Sequence, residues 1–259
     1  MHEREGARLG LRYTYVLVDF DRLGLPDEAL KGVVEAAGRL GFAGLNVTHP
    51  FKQAVLACLD RLDPETEIIG AVNTVVLKDG RRDGRNTDCR GFVDSFRENM
   101  SGSALERVVQ FGAGGAGAAV GYALMLLGAA DLTIVDSEPG RAERLAARLA
   151  PRFGNRARAT GSSAAALADA DGIVNTTPVG MLKYPGTPFH PGLLLPRQWV
   201  GDIVYFPEET ELLRAARALG CRTLSGAGMA VHQAVRAFEL FTGRAANAAA
   251  MAAHFEAAA

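Results

Sequence analysis

Gly112-Ala113-Gly114-Gly115-Ala116-Gly117 follows Val108-Val109-Gln110-Phe111 and opens an apolar stretch with helical spacing. In a G-x-G-x-x-G pattern the first glycine permits a tight turn and the second lets backbone approach a pyrophosphate. The third lets the helix pack close to the strand. The helix start then presents N–H groups and a partial positive charge to phosphates. In a chain with 30 glycines the pattern alone is also what a chance cluster at a structural turn would give. Its context argues for a dinucleotide, because Asp136 closes the next strand 24 residues after Gly112. A carboxylate there accepts from the adenosine ribose and repels a 2′-phosphate, which favours NAD. Arg141, five residues on, keeps NADP open, since an arginine nearby accommodates that phosphate.

A hydride carrier alone does not oxidise an alcohol, and something must take the hydroxyl proton. Two clusters in the first third of the chain offer candidates. One is Asn46-Val47-Thr48-His49-Pro50-Phe51-Lys52, at a strand end and helix start. The other is Asn86-Thr87-Asp88, between a strand and a helix. Both put short polar side chains beyond strand ends, where α/β proteins bind ligands.

The elements that must position these residues alternate along the chain. Arg12 to Asp19, rich in aromatic and β-branched residues, predicts a strand. Glu28 to Leu40 predicts a helix ended by Gly41. Gly44 to Val47 predicts a short strand, and Pro50 suits the first position of a helix over Phe51 to Leu59. Ala71 to Leu77 predicts a strand, with Asp79-Gly80 as a turn. Beyond residue 107 the expected strands are 108–111, 132–136, 173–175, 200–204 and 222–224, with helices over 118–127 and 142–149. That alternation predicts a doubly wound parallel sheet. The tail, 229–241 and 245–255, reads as helical.

Composition bounds the rest. The chain has 259 residues, 48% hydrophobic and 22% charged, enough for two moderate domains. A net charge of −1 gives no reason to expect a nucleic acid or an anionic membrane as partner. No apolar run approaches the ~18 residues of a membrane span. The start, MHEREGARLG, is polar and unlike a secretory signal. Cys58, Cys89 and Cys221 are spaced for neither a disulfide framework nor a metal site, and five scattered histidines show no ligand spacing. A reducing cytoplasm and no metal are the expectation.

At this point the sequence resembles the shikimate dehydrogenases, and within them the bacterial quinate/shikimate dehydrogenases. The likeness is carried by NVTHPFK at 46–52, GAVNTVV at 70–76, GRNTD at 84–88 and GAGGAG at 112–117. NTTPVGM at 175–181, GDIVYFPEETELL at 201–213 and MAVHQA at 229–234 continue it, in order, along essentially the whole chain. The resemblance implies an α/β fold of two domains. A substrate-binding and catalytic domain covers 1–90, and a Rossmann-like NAD-binding domain covers 91–228. The helices of 229–259 return to the first domain.

It further implies that Lys52 and Asp88 form the catalytic pair, with Lys52 shuttling the hydroxyl proton. Asn46, Thr48, Asn73 and Gln233 would bind the hydroxyls and carboxylate of the substrate, and Tyr205 would line the cleft. Gly112, Gly114, Gly115, Ala116, Gly117, Asp136, Arg141 and Gly226 would serve the cofactor. Met181 and Val204 would pack against the nicotinamide with Thr177 nearby, although plain core packing suits these three nearly as well. His49 and His232 read as helix-start or packing residues. Asp136 followed by Arg141 matches the NAD-using quinate/shikimate branch. The NADP-using branch resembles a strand ending in Asn-Arg-Thr, which is absent here.

The implied reaction interconverts quinate or shikimate with the 3-dehydro ketone, in aromatic biosynthesis or quinate breakdown. Family members begin with a strand and a loop carrying two hydroxyl residues for the substrate carboxylate, whereas this chain begins in the following helix. The expectation is weakened substrate binding. Two other readings stay open: a folate-linked methylene dehydrogenase, and a cofactor-binding protein without catalysis. Quinate versus shikimate, and monomer versus homodimer, are not decided by the residues.

Overall fold

The computed structural model describes residues 1–161 and 163–257. The chain divides into two compact units, one of Met1–Thr87 with Gln233–Ala259 and one of Asp88–His232.

The first unit opens with α1 (His2–Arg8) and the single-turn α2 (Phe20–Leu23). A 3₁₀ turn over Asp27–Ala29 leads into α3 (Leu30–Arg39). β1 (Gly44–Asn46), β2 (Arg61–Leu62), α4 (Pro64–Ile69), β3 (Thr74–Lys78) and β4 (Arg81–Arg85) follow. The four strands lie in the order β1-β3-β4-β2. β3 and β4 form a hairpin in which Lys78 faces Arg81. Its two turn residues, Asp79 and Gly80, take φ of 51° and 72°. Positive φ at both centres is the turn that Asp-Gly favours, because its twist matches the strands. Leu30 and Val34 of α3, Val55, Cys58, Val72 and Val75 make the core. Gly84 lets β4 approach it, since a Cβ there would sit 2.6 Å from both Leu59 and Leu62.

Two expectations fail in this unit. Residues 12–19 do not form a strand. Aromatic and β-branched residues favour a strand only where a neighbour completes the ladder and one face is covered. β1 pairs with β3, no described strand runs beside 12–19, and Leu17 is left 77% exposed. The expected helix over 51–59 is a turn followed by a 3₁₀ segment over Ala54–Cys58. The carbonyl of Lys52 accepts from Val72 N at 2.7 Å, which draws the chain off a helical path. The threefold period then turns Val55 and Cys58 inward together. Pro50 is therefore not the first residue of an α-helix, and the His49–Pro50 peptide is cis.

The second unit holds α5 (Thr87–Asn99), β5 (Arg107–Phe111), α6 (Gly115–Leu127), β6 (Asp131–Val135), α7 (Pro139–Phe153) and β7 (Ala157–Ala159). Then come α8 (Ser163–Asp169), β8 (Gly172–Asn175), β9 (Trp199–Asp202), α9 (Glu211–Ala218), β10 (Arg222–Ser225) and α10 (Gly226–Thr242). Thr87 of α5 and the C-terminal part of α10 belong to the first unit, as does α11 (Ala248–Glu256). The six strands are all parallel, in the order β10-β9-β8-β5-β6-β7. This is the doubly wound α/β sheet that the alternation predicted. The chain first winds from β5 toward β7, then reverses to β8, so the switch point lies between β5 and β8, at whose carboxyl ends ligands bind. α6 is apolar on all sides and buried from Gly117 to Met125, as such a helix must be. Helices α2, α4, α8 and α9 and strands β2, β4 and β7 were not expected; the three strands have two, five and three residues, and β4 reads RRDGR without an apolar face.

Candidate active site

The glycine loop is built at the switch point as its sequence implies. Gly112 has φ of 97°, and a Cβ there would lie 2.8 Å from Thr176 Oγ1. Thr176, just past β8, donates its hydroxyl to the carbonyls of Phe111 and Gly112 at 2.7 and 2.9 Å. Buried Gln110 donates to the carbonyls of Gly112 and Gly117, both at 2.8 Å. A Cβ on Gly117 would collide with the carbonyl oxygen of Gly112. Gly114 differs: a Cβ there meets nothing within 4 Å. Its small size is not demanded by packing within the protein, and it leaves open space of the kind that close approach of a phosphate uses. The first α6 bond of this turn runs from Ala118 N to Gly114 O. The N–H groups of Gly115, Ala116 and Gly117 thus lie at the open helix end, where anions bind.

Asp136 ends β6 beside this loop. Its Oδ2 accepts from Ala113 N at 2.7 Å and its Oδ1 from Glu138 N at 2.9 Å. Arg141 does not point freely from the helix start; its guanidinium holds the Glu138 carboxylate at 2.8 Å.

A second network joins the ends of β8 and β9. Asp202, 2% exposed, accepts from Asn175 Nδ2 (3.0 Å), Thr210 Oγ1 (2.8 Å) and Val204 N (3.0 Å). Asn175 also donates to Val179 O and accepts from both N and Oγ1 of Thr177. Burial pushes the Asp202 carboxyl up to about 6 even though these three donors pull it down. The network sets the backbone that carries Thr177 and Val204. Val204 is buried, whereas Met181 and Tyr205 are 39% and 49% exposed, so core packing does not account for Met181. A Cβ on Gly226, at the start of α10, would collide with the Ile203 carbonyl.

In the first unit the amides converge. Asn73 donates to Thr87 Oγ1 at 2.9 Å and to Gln233 Oε1 at 3.3 Å. Its Oδ1 accepts from Thr87 N at 2.7 Å. Asn86 Nδ2 donates to the Ala71 carbonyl, holding the turn before Thr87. Tyr15 donates to Asn46 Oδ1 at 3.0 Å, and Asn46 Nδ2 is buried with no hydrogen-bond partner among the described residues. Lys52 is half-buried and Thr48 is exposed. Asp88, buried, follows Thr87 in the first turn of α5 and opens the second unit. His232 Nε2 lies 2.9 Å from Glu98 Oε2, a side-chain hydrogen bond that ties α10 to α5. Sequence reasoning missed Tyr15, Asn175, Asp202 and Thr210 as site-building residues, and named Thr87 only as a member of the 86–88 cluster. Gln110 left a readable signal, a polar residue inside an apolar strand.

The switch-point loop and the carboxylate closing β6 define a protein of the dinucleotide-binding class. Residues 1–75 match the family described as shikimate dehydrogenase substrate binding domain, and residues 226–254 match the shikimate 5′-dehydrogenase C-terminal domain. The chain belongs to the shikimate dehydrogenase family. It is 57% identical over 247 residues to the shikimate dehydrogenase (NADP⁺) of Streptomyces avermitilis, covering 94% of this chain and 85% of that one. It is 48% identical over 248 residues to the quinate/shikimate dehydrogenase (NAD⁺) of Corynebacterium efficiens, covering 94% and 87%. The solved structure of quinate dehydrogenase from Corynebacterium glutamicum in complex with NAD superposes with a TM-score of 0.88 at 46% identity, covering 99% of this chain and 92% of that one. The chain is accordingly an NAD(P)-dependent oxidoreductase acting on a CH–OH group. No described helix is long and apolar enough to cross a membrane.

Proposed function

We propose that this enzyme oxidises quinate and/or shikimate to the 3-dehydro ketone with NAD, and runs the reverse reduction with NADH. The observation that carries the cofactor choice is the Asp136 carboxylate, fixed by two backbone N–H groups beside the glycine loop. A fixed negative charge there accepts from a ribose hydroxyl and opposes a 2′-phosphate. NADP is the second reading, favoured by the Streptomyces relative and by the presence of Arg141.

The residues would divide the work as follows. Gly114 and the α6 N-terminus cradle the pyrophosphate, and Thr177, Met181, Val204 and Gly226 flank the nicotinamide. Bound there, the nicotinamide supplies a hydride acceptor. Lys52, as the neutral amine, would take the hydroxyl proton as the carbonyl forms and become the ammonium, and Asp88 would orient the Lys52 amino group and a substrate hydroxyl. Asn46, Thr48, Asn73, Gln233 and Tyr205 recognise hydroxyls and the carboxylate; amides suit a polyol because they both donate and accept. The buried, unpartnered Asn46 Nδ2 supports this, since such a donor is costly unless a ligand oxygen completes it. Cys58, Cys89 and Cys221 are buried, and their spacing fits a reducing cytoplasm.

The test compares kcat/KM for NAD and NADP, with quinate and with shikimate. NAD is expected to be favoured by about tenfold or more, and Asp136→Ala to narrow or invert that ratio. A wild-type preference of about tenfold for NADP overturns the cofactor reading.

A further inference from the structure

Glu138 is the side chain in the turn after β6 that the cofactor reading leaves without a task. Its backbone is fixed on both sides. The Glu138 N–H donates to Asp136 Oδ1 at 2.9 Å, and its carbonyl accepts from Arg141 N at 2.8 Å. Pro139, with its restricted φ, follows as the first residue of α7. The side chain makes no cap hydrogen bond to α7. Instead its carboxylate meets the Arg141 guanidinium at 2.8 Å. The turn thus presents two carboxylates, Asp136 and Glu138, with the arginine nearest in sequence bound to the second.

We infer that Glu138 is a specificity-determining residue: it holds Arg141 in an ion pair, withholding that cation from a 2′-phosphate and so reinforcing selection of NAD over NADP. The inference rests on the NAD reading above. An arginine in this turn is otherwise a ready partner for a phosphate, through charge-assisted and often bidentate hydrogen bonds. Exposed ion pairs are weak, so the restraint is worth a modest factor rather than an absolute block. Exposure also makes the position easy to vary, because no packing depends on it.

The test is calorimetric titration of the full chain with NAD⁺ and with NADP⁺, without substrate or turnover. Wild type, Glu138→Gln, Arg141→Ala and the double variant are compared. Glu138→Gln is expected to tighten NADP⁺ binding about three- to tenfold while NAD⁺ binding changes less than about twofold. In the Arg141→Ala background that gain should fall by at least about half, since the freed cation is gone. An unchanged NADP⁺/NAD⁺ ratio in Glu138→Gln, in a wild type that prefers NAD⁺, overturns the inference alone. An undiminished gain in the double variant also overturns it, because Glu138 would then act by its own charge. A wild type that binds NADP⁺ more tightly overturns the NAD reading and the inference with it.

Discussion

Replacing Asp202 with asparagine probes the network that joins the ends of β8 and β9. Burial raises its carboxyl from the ordinary 3.8 to about 6, against the pull of Thr210, Val204 and Asn175. The folded protein therefore binds this proton more tightly than the unfolded chain does. The resulting stabilisation is fully present below about pH 3.8 and is lost as pH rises through about 6. The raised value corresponds to about 3 kcal/mol across that window. Asp202→Asn keeps the shape and still accepts from Asn175 and Val204, while Thr210 reverses its bond. The variant has no proton to release there, so its stability relative to wild type should rise by about 2–3 kcal/mol between about pH 4 and about pH 8. Trp199, the sole tryptophan, lies buried on the same strand, so its fluorescence in urea titrations follows this unit directly. A stability difference that stays flat over that range, or that falls with pH, refutes the reasoning.

Other outcomes follow from the same geometry. Gly114→Ala adds a methyl into open space, so melting temperature should hold while NAD binding measured by calorimetry weakens about tenfold or more. Gly117→Ala forces a methyl against the Gly112 carbonyl and should lower stability by about 1–3 kcal/mol, seen as a drop in Tm. Equal effects of the two substitutions on Tm would contradict the division of roles. Lys52→Ala should lower kcat by about 10² or more with a much smaller change in KM. A variant that keeps nearly full kcat across the working pH range would remove Lys52 from proton transfer.

The dinucleotide half was legible because its signals are local. Glycine spacing, the apolar strand before it and Asp136 after it lie within one β-α-β unit, and the structure joins them through Ala113 N. Asn73 and Gln233 are 160 positions apart and meet through folding that no spacing rule encodes; only the family resemblance paired them. Residues 12–19 were misread because composition describes a segment's preference and not whether a neighbouring strand exists to pair with it. At 51–59 the proline suggested a helix start, but a long-range bond from Val72 to the Lys52 carbonyl decided the backbone. Asp202 lay unnoticed inside a quoted motif because its meaning depends on burial, which strand periodicity could not assign to one acidic residue.

The central claim is oxidation of a quinate or shikimate hydroxyl with NAD. Its most direct test is to incubate the purified chain with NAD⁺ and each acid, follow NADH at its absorbance band, and identify the product by NMR. The account predicts NADH formed in equal amount with the 3-dehydro ketone of at least one of the two acids. Binding of NAD⁺ with no NADH and no ketone from either acid would contradict it.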